Sequence, residues 1–585
     1  MALAAADTYV VVLALPDMMG GVGLSIDELQ RATPIISGFL LGYIAVLPLI
    51  GRLSDLVARQ RVLLFCLSVF VLGSAITAVS VELPVLVGGR VLQGIGGGGL
   101  VPATLALVAD LWPPARRGTP LGVVGAVQEL GSVLGPLLGA AVLAVADWRA
   151  IFWLNVVLGV ILAAVLVLTG GREARPQLRL LPTALGLAAV GAGLLTLIAP
   201  SSLADDVTLG IPFVPFMGTA RLATPLGVLT LALVAVAFWS LTRRGQQSVP
   251  AESPAESPAD SQVGSGSSQT RRSGAAPLQE RPQLWRRVDL PGAVLVAVAL
   301  GSLVLTFASA DPEREVVGPL GLALVPLGLA AAAAYVWRHR TARDPLVPRG
   351  LTATSAAGRR SGVVPALLVS LLVGVALVGI VVDIPILARL TVTDSQTTAA
   401  LVLVRFLVAV PVGALVGGWL SDRFGPSVVA AVGLILAGVG LLLMSGWGQG
   451  SLQSWSATPV LVLVGLGLGL PLAPVNSAAL ASARDDAHGV VSSLVVLARM
   501  VGMVLGLGLL TAIGLYRYYA TVAGLPDQTN TAALAAAGVV QVQTVFLGGA
   551  VAAFIAALLA LALGGRQQSN VHETSGDRFR GASHA

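Results

Sequence analysis

Four ionisable side chains lie within long apolar stretches of the sequence: the acids Asp7 and Glu129, and the arginines Arg90 and Arg499. A charge inside a lipid bilayer is costly unless it is paired or hydrated, so such residues are functional by default. A carboxyl group whose pairing with arginine changes as helices move can take up and release a proton. These residues therefore predict an intramembrane charge network that couples proton movement to a conformational change. The alternative is a static ion pair that holds helices together.

A second pair of opposite charges lies further along the chain. Asp383 falls near the outer end of one apolar segment, and Arg405 falls inside the next one. Because consecutive segments of a helical membrane protein are commonly neighbours, we expect these two residues to form a secondary ion pair.

The apolar stretches that must position these residues make up most of the chain. Of its 585 residues, 56% are hydrophobic and 11% are charged, and the mean hydropathy is +0.88. A soluble domain has roughly 25% charged residues. Many of the stretches approach the ~20 residues that a helix needs to cross a bilayer. The composition therefore excludes a soluble protein and predicts a polytopic α-helical membrane protein.

The basic residues indicate how the chain is oriented in the membrane and do not indicate a nucleic-acid partner. All 35 of them are arginine, and most fall in loops on one side of the predicted membrane, as the positive-inside rule requires of cytoplasmic loops. The single cysteine, Cys66, excludes an intramolecular disulfide and a cysteine-based metal site. The four histidines are scattered, and the sequence has no phosphate-binding loop. We therefore expect no metal and no cofactor.

The order of apolar and polar segments predicts an all-α fold of two pseudo-symmetric six-helix bundles with additional linker helices between them. The total is about 14–16 membrane helices, counted at ~20 residues each. A Ser-, Pro- and Glu-rich stretch cannot bury a core and predicts a disordered linker. The predicted domains are an N-terminal bundle at 1–172, an extra helix pair at 173–243, a disordered cytoplasmic linker at 244–288, a linker helix pair at 289–350, a C-terminal bundle at 351–566 and a disordered cytoplasmic tail at 567–585.

Both termini are expected to be cytoplasmic. The first residues run directly into an apolar helix that is short on its cytoplasmic side, so we expect the biological chain to begin upstream of Met1.

One short motif occurs in both predicted bundles. Gly51-Arg-Leu-Ser-Asp55 follows the second segment of the first, and Gly418-Trp-Leu-Ser-Asp422 follows the second segment of the last. Two matching halves are typical of transporters that rock around a central site.

These motifs resemble a known family. The stretch GRLSDLVARQR is similar to the loop between helices 2 and 3 of the major facilitator superfamily, with alanine at 58 in place of the second glycine. A carboxylate beside arginine at a cytoplasmic helix end can lock two lobes together. The resemblance therefore implies a cytoplasmic gate formed by Gly51, Asp55, Arg59, Arg61, Asp422 and Arg423.

Two further motifs support the same resemblance. GGRVLQGIGGGG resembles the Arg-x-x-Gln-Gly motif of helix 4 in this family, which ties Arg90 to proton coupling. AVQELGSVLGPLLGAA matches the Gly-x-x-x-Gly-Pro-x-x-Gly pattern of the family's antiporters at Gly131, Gly135, Pro136 and Gly139. Small residues four apart let helices approach closely, and proline permits a bend, so these residues form the expected antiporter hinge.

Longer stretches, such as LLGYIAVLPLIGRLSD and ARMVGM, resemble the fourteen-helix drug:proton antiporter branch and, within it, the mycobacterial triacylglyceride exporters. The resemblance implies proton-coupled alternating access and export of a lipophilic substrate, foremost triacylglyceride, across the inner membrane. It places Asp7, Glu129 and Arg499 at essential charged positions. The implied partners are the lipid, protons and a periplasmic lipid-carrying lipoprotein, and the transporter is expected to be monomeric.

Two other functions are compatible with parts of this pattern. A multidrug:proton antiporter would have the same architecture. A membrane-embedded lipid-modifying enzyme is a remote alternative, because it would need catalytic acids on a sizeable outward loop and the outward loops here are short. We therefore expect a transporter and not an enzyme.

Overall fold

The structure is a computed structural model, which describes residues 1–25, 29–169, 196, 224–230, 232, 288–308, 321–349, 362–392, 396–527 and 530–564. Two compact units divide the chain, one of residues 1–176 together with 288–585, and one of residues 177–287. The described part of the second unit is Thr196, residues 224–230, which are helical from 225 to 230, and residue 232. All features described below belong to the first unit.

The described residues form helices and connecting loops, and no strand occurs among them. The first group of helices is α1 (Ala2–Gly21), α2 (Leu29–Leu56), α3 (Arg59–Val79), α4 (Leu83–Leu111), α5 (Gly118–Leu143) and α6 (Arg149–Thr169). A pair follows, α7 (Leu290–Ala308) and α8 (Gly321–Thr341). The last group is α9 (Val363–Thr391), α10 (Gln396–Leu407), α11 (Ala409–Phe424), α12 (Pro426–Met444), α13 (Ala457–Gly469), α14 (Leu472–Ala481), α15 (His488–Ala523) and α16 (Thr531–Ala560).

Two spans of the last group are each built from two helices. One apolar span, Val402–Phe424, runs from α10 into α11, and another, Ala457–Ala481, combines α13 and α14. Within the described ranges, eleven spans, including these two, are long and apolar enough to cross a membrane. The predicted all-α polytopic membrane class is confirmed.

Several predicted segments lie wholly or mostly outside the described residues. They are the extra helix pair at 173–243, the linker at 244–288 and the tail at 567–585. The predicted domain limits and the total of 14–16 helices therefore stay predictions.

The glycine-rich sequence of α4 is explained by its neighbours. A Cβ atom at Gly94 would lie 2.1 Å from the carbonyl oxygen of Phe39 on α2, and one at Gly96 would lie 2.3 Å from the backbone nitrogen of Phe70 on α3. The backbone of α4 therefore lies directly against two other helices. This close packing positions Arg90, one to two turns earlier on α4, in the interior of the N-terminal group.

The N-terminal and C-terminal groups meet most extensively along two helix pairs, α2 with α15 and α5 with α11. The contacts are close because glycines face each other at both. A Cβ at Gly51 would lie 2.6 Å from the carbonyl oxygen of Gly489, and a Cβ at Gly118 would lie 2.5 Å from that of Gly418. We call the end of the molecule with these two contacts the gate end.

The helix pair α7–α8 attaches to the first group through α2. Asp289, just before α7, is 4% exposed. Its carboxylate accepts hydrogen bonds from Arg338 Nε at 2.7 Å, the Leu346 amide at 3.0 Å and the Gly292 amide at 3.2 Å. One buried carboxylate thus joins the start of α7 to the end of α8.

Candidate functional site

The carboxylate of Asp7 on α1 is the centre of a buried polar network. Both Asp7 and its ion-pair partner Arg90 on α4 are 1% exposed. Two amide groups also donate to Asp7 Oδ1: Asn155 Nδ2 on α6 at 2.6 Å and Gln93 Nε2 on α4 at 3.2 Å. Three helices of the N-terminal group therefore meet at one carboxylate.

Arg90 has further partners at two of its guanidinium nitrogens and at its face. Its Nε donates to the carbonyl of Ile35 at 3.2 Å, and its Nη1 also donates to Gln93 Oε1 at 2.8 Å. The guanidinium carbon lies 4.6 Å from the centre of the Phe39 ring, a cation–π distance. These contacts offset the cost of burying a cation away from water.

The sequence analysis missed the roles of Gln93 and Asn155. Gln93 lies three residues after Arg90, so the two share one face of α4, and this spacing was an available signal. Asn155 is a polar residue within the apolar helix α6, which was also visible, but nothing in the sequence pairs it with Asp7.

Glu129 and Arg499 form a separate ion pair between the two groups of helices. Glu129 Oε1 on α5 lies 3.3 Å from Arg499 Nη1 on α15, with side chains 14% and 11% exposed. The single network predicted from the sequence is therefore two pairs. Asp7 and Arg90 pair within the N-terminal group, whereas Glu129 and Arg499 pair across the two groups.

An apolar cavity adjoins the Glu129–Arg499 pair. Together with its opening to solvent it spans about 620 Å³, and its lining includes Thr8, Phe39, Tyr43, Gln128, Glu129, Ser132, Leu377, Arg499, Met500 and Met503. A second cavity of about 500 Å³ shares Val101, Gln128 and Arg499 with the first. Most of its other walls are valine and leucine. Two largely apolar cavities with a few polar groups between them suit a lipophilic ligand.

At the gate end, Asp55 binds the beginning of a helix in the other group. Its carboxylate accepts hydrogen bonds from the backbone amides of Gly489 at 2.6 Å and Val490 at 2.9 Å. These amides belong to the first turn of α15, which has unpaired N–H groups and the positive end of the helix dipole. Asp55 therefore fastens α2 to α15.

Asp422 makes the symmetry-related contact. Its carboxylate accepts hydrogen bonds from the Gly118 amide at 2.8 Å, the Thr119 amide at 2.9 Å and the Thr119 hydroxyl at 2.7 Å. These donors lie in the first turn of α5. The two copies of the repeated motif thus close the gate end twice, each by binding the start of one helix of the opposite group, α15 for Asp55 and α5 for Asp422.

The arginines predicted at the gate lie outside these two contacts. Arg59 pairs with Asp110 and donates to the Ala106 carbonyl at 2.6 Å, which joins α3 to α4. Its distance to Asp55 is 3.8 Å. Arg423 stacks on the ring of Trp419 at 4.1 Å, and Arg61 is exposed. Arg59 thus pairs with Asp55 within the N-terminal group. Across the two groups, both aspartates bind backbone amides, because a helix N-terminus lies opposite each of them.

The predicted antiporter hinge positions α5 against α1. A Cβ at Gly131 would lie 2.3 Å from the carbonyl oxygen of Ala2, and one at Gly135 would lie 2.5 Å from that of Ala6. Gly139 is also buried, and Pro136 lies inside the helix. The small residues therefore hold α1, and Asp7 with it, directly beside the helix that carries Glu129.

The predicted ion pair between Asp383 and Arg405 is absent from the described residues. Asp383 on α9 is 3% exposed. Arg405 on α10 is exposed, and its Nη1 donates to the Thr458 hydroxyl at 3.3 Å. The prediction was wrong because order along the chain does not determine the direction in which a helical side chain points.

Comparison with known proteins places these features in a family. A model of the Major Facilitator Superfamily matches residues 1–316 and 290–507. The chain is 34% identical over 528 residues to a triacylglyceride transporter of Mycobacteroides abscessus, covering 88% of this chain and 81% of that protein. It is 33% identical over 594 aligned positions to a triacylglyceride transporter of Mycolicibacterium smegmatis, and the alignment covers 97% of this chain and 86% of that protein. It is 32% identical over 539 residues to a triacylglyceride transporter of Mycobacterium tuberculosis, and the alignment covers 89% of this chain and 82% of that protein.

Solved structures show the same fold at lower identity. The human organic anion transporter MFSD10 superposes with a TM-score of 0.53 and 14% identity, over 96% of each chain.

Proposed function

The chain belongs to the major facilitator superfamily, and from that premise we propose that it exports triacylglyceride, or a similar lipid, by proton-coupled alternating access. The family and the relatives make it a multi-pass membrane transporter rather than an enzyme. The observation that carries the proposal is the apolar cavity that adjoins the Glu129–Arg499 pair between the two groups of helices. The names of the relatives support lipid as the cargo.

The gate-end contacts support alternating access. Asp55 and Asp422 bind backbone amides of the opposite group. Each contact joins a carboxylate to a helix N-terminus, so it can break without leaving a buried side-chain partner unpaired. When both contacts break, the two groups separate at the gate end, and the cavities open to the side of the membrane on which the gate end lies.

The Asp7 network supports proton coupling. Protonation of Asp7 would remove its charge and weaken its pairing with Arg90 and the donations from Gln93 and Asn155. Because Asp7 lies on α1 and α1 packs on α5, this change would reach the helix that carries Glu129. A change in the protonation of Asp7 can thereby alter the Glu129–Arg499 pair, which bridges the two groups.

The distribution of arginine supports the orientation. The gate end carries Arg59, Arg61 and Arg423, and positively charged loops stay cytoplasmic. We therefore propose that the gate end and both termini face the cytoplasm and that the protein lies in the inner membrane. A periplasmic lipid-carrying lipoprotein would accept the exported lipid, and the transporter works as a monomer.

The test is lipid analysis in a bacterium that lacks its own exporter of this type. The strain would carry the intact chain, the Asp7→Asn variant, the Asp17→Asn variant or an empty vector. Asp17 is exposed on the same helix, so it is the matched control. We expect the intact chain and Asp17→Asn to restore triacylglyceride export, and Asp7→Asn to behave as the empty vector.

A multidrug antiporter of the same architecture would give a different result. Triacylglyceride export would be unchanged by the intact chain, whereas resistance to lipophilic cations would rise and depend on Asp7.

A further inference from the structure

A carboxyl group outside the two ion pairs lies buried in the C-terminal group. Asp383 on α9 is 3% exposed, and Ile380, Ile384 and Leu387 around it are at most 1% exposed. One turn earlier on the same face, a Cβ at Gly379 would lie 2.9 Å from Val545 of α16 and 3.7 Å from Leu510 of α15. The surroundings of Asp383 are therefore apolar.

Asp383 has no hydrogen bond and no ion pair within the described part of the chain. The other buried aspartates differ in this respect. Asp7 has Arg90 and two amide donors, and Asp289 has Arg338 and two backbone amides. Burial of an ionised carboxylate without such partners is strongly unfavourable.

The helices packed against α9 supply no counter-charge. They are α10, α14, α15 and α16, of which α14 and α16 contain no ionisable residue. Arg405 on α10 bonds to Thr458, and Arg499 on α15 bonds to Glu129. The remaining ionisable residues on α15 and α9 are His488, Tyr516, Arg517, Tyr518, Tyr519 and Arg389, and none of them pairs with Asp383.

We propose that Asp383 is a second proton-binding site, located in the C-terminal group and held as a neutral carboxylic acid in this conformation. A proton needs a single oxygen atom, whereas a metal cation needs several oxygen ligands. Among the described residues, no group of three histidine, cysteine or acidic side chains could hold a metal ion. A single carboxyl group in apolar surroundings is suited to a proton.

The turn that carries Asp383 is also a place where α9 can bend. Pro385, inside α9, has no N–H to donate to the carbonyl of Val381, and a proline within a helix commonly kinks it. Bending at this turn would change the solvent access of Asp383 and let the bound proton exchange.

Infrared spectroscopy of the purified full-length protein tests the site directly and does not depend on the cargo. A protonated carboxyl group gives a C=O stretching band that ionised carboxylates lack. At neutral pH we expect Asp383→Asn to remove one such band, and Asp383→Glu to shift it. Asp289→Asn is the matched control, because Asp289 is similarly buried but paired with Arg338. The replacement of Asp289 should therefore leave the carboxylic-acid band of Asp383 unchanged.

The stability of the variant provides an independent result. Asparagine resembles a neutral aspartic acid in shape and charge, so we expect Asp383→Asn to unfold at the temperature of the intact protein. The proposal is overturned if the carboxylic-acid band is the same in Asp383→Asn and the intact protein. It is also overturned if the band appears only when sodium is removed, because the resident ligand would then be a sodium ion.

Discussion

Asp7 shows how a charge can be buried without being isolated. Its carboxylate is held by Arg90 and by the amides of Gln93 and Asn155, and Arg90 is in turn held by a carbonyl and an aromatic ring. Removal of one member of such a buried pair costs more than removal of both, because it leaves an uncompensated charge. Stability and function can therefore be separated at this site.

A double-mutant cycle makes that separation measurable. We expect Asp7→Asn to lower the free energy of unfolding by about 3–5 kcal/mol, since it leaves Arg90 without a counter-charge. Addition of Arg90→Gln should restore most of that stability but no lipid export. Equal losses in the single and the double variant would contradict the assignment of Arg90 as the partner of Asp7.

The pair between Glu129 and Arg499 is tested by exchanging the charges. Glu129→Gln should abolish export and lower the thermal midpoint, because Arg499 loses its only described partner of opposite charge. The double variant Glu129→Arg/Arg499→Glu should regain the thermal midpoint, since the attraction is restored. If the swapped protein is no more stable than Glu129→Gln, the pair does not contribute to holding the two groups together.

At the scale of elements, α5 combines several roles in one helix. Its first turn binds Asp422, its middle carries Glu129, and Gly131 and Gly135 bring it against the backbone of α1. A displacement of α5 therefore changes the gate, the ion pair and the surroundings of Asp7 at the same time.

Two glycine-to-alanine substitutions on α5 test this packing. At Gly131 the new Cβ would lie 2.3 Å from a backbone carbonyl oxygen, so we expect Gly131→Ala to force α1 away and cost about 1–3 kcal/mol. At Gly125 the nearest atom would be 3.6 Å away, so Gly125→Ala should be tolerated. Thermal unfolding of both variants measures the difference, and equal midpoints would exclude a close α1–α5 contact.

At the scale of the whole molecule, the two groups of helices are joined at the gate end by two equivalent contacts. Asp55 holds the start of α15, and Asp422 holds the start of α5. Because each aspartate comes from one copy of the repeated motif, the internal repeat in the sequence becomes a two-fold repeat of the closing contact.

A reversible cross-link tests whether the gate must open for transport. Thr119 and Asp422 touch across the two groups, so a Thr119→Cys/Asp422→Cys variant, built on Cys66→Ala, should form a disulfide. We expect oxidation to stop export and reduction to restore it to the level of the reduced single-cysteine variants. Undiminished export by the oxidised protein would show that the two groups do not separate at this contact.

The sequence alone determined which charged residues lie within the apolar helices and roughly where along them. Apolar segment lengths predicted the helical membrane class, and the location of Asp7, Arg90, Glu129 and Arg499 within those segments was visible without a structure. These features are local, because the hydrophobicity of a segment and the presence of a charge within it can be recognised without knowing the neighbouring helices.

Only the tertiary structure decided the partners. Asp7 pairs within one group and Glu129 across two, Asp55 and Asp422 reach the opposite group through backbone amides, and Asp383 and Arg405 do not meet. The physical reason is that a side chain's partner depends on helix rotation and on which helices are neighbours. Helix rotation and helix neighbours depend on packing between residues far apart in the chain, such as Asp55 and Gly489. A local sequence pattern contains no information about such contacts.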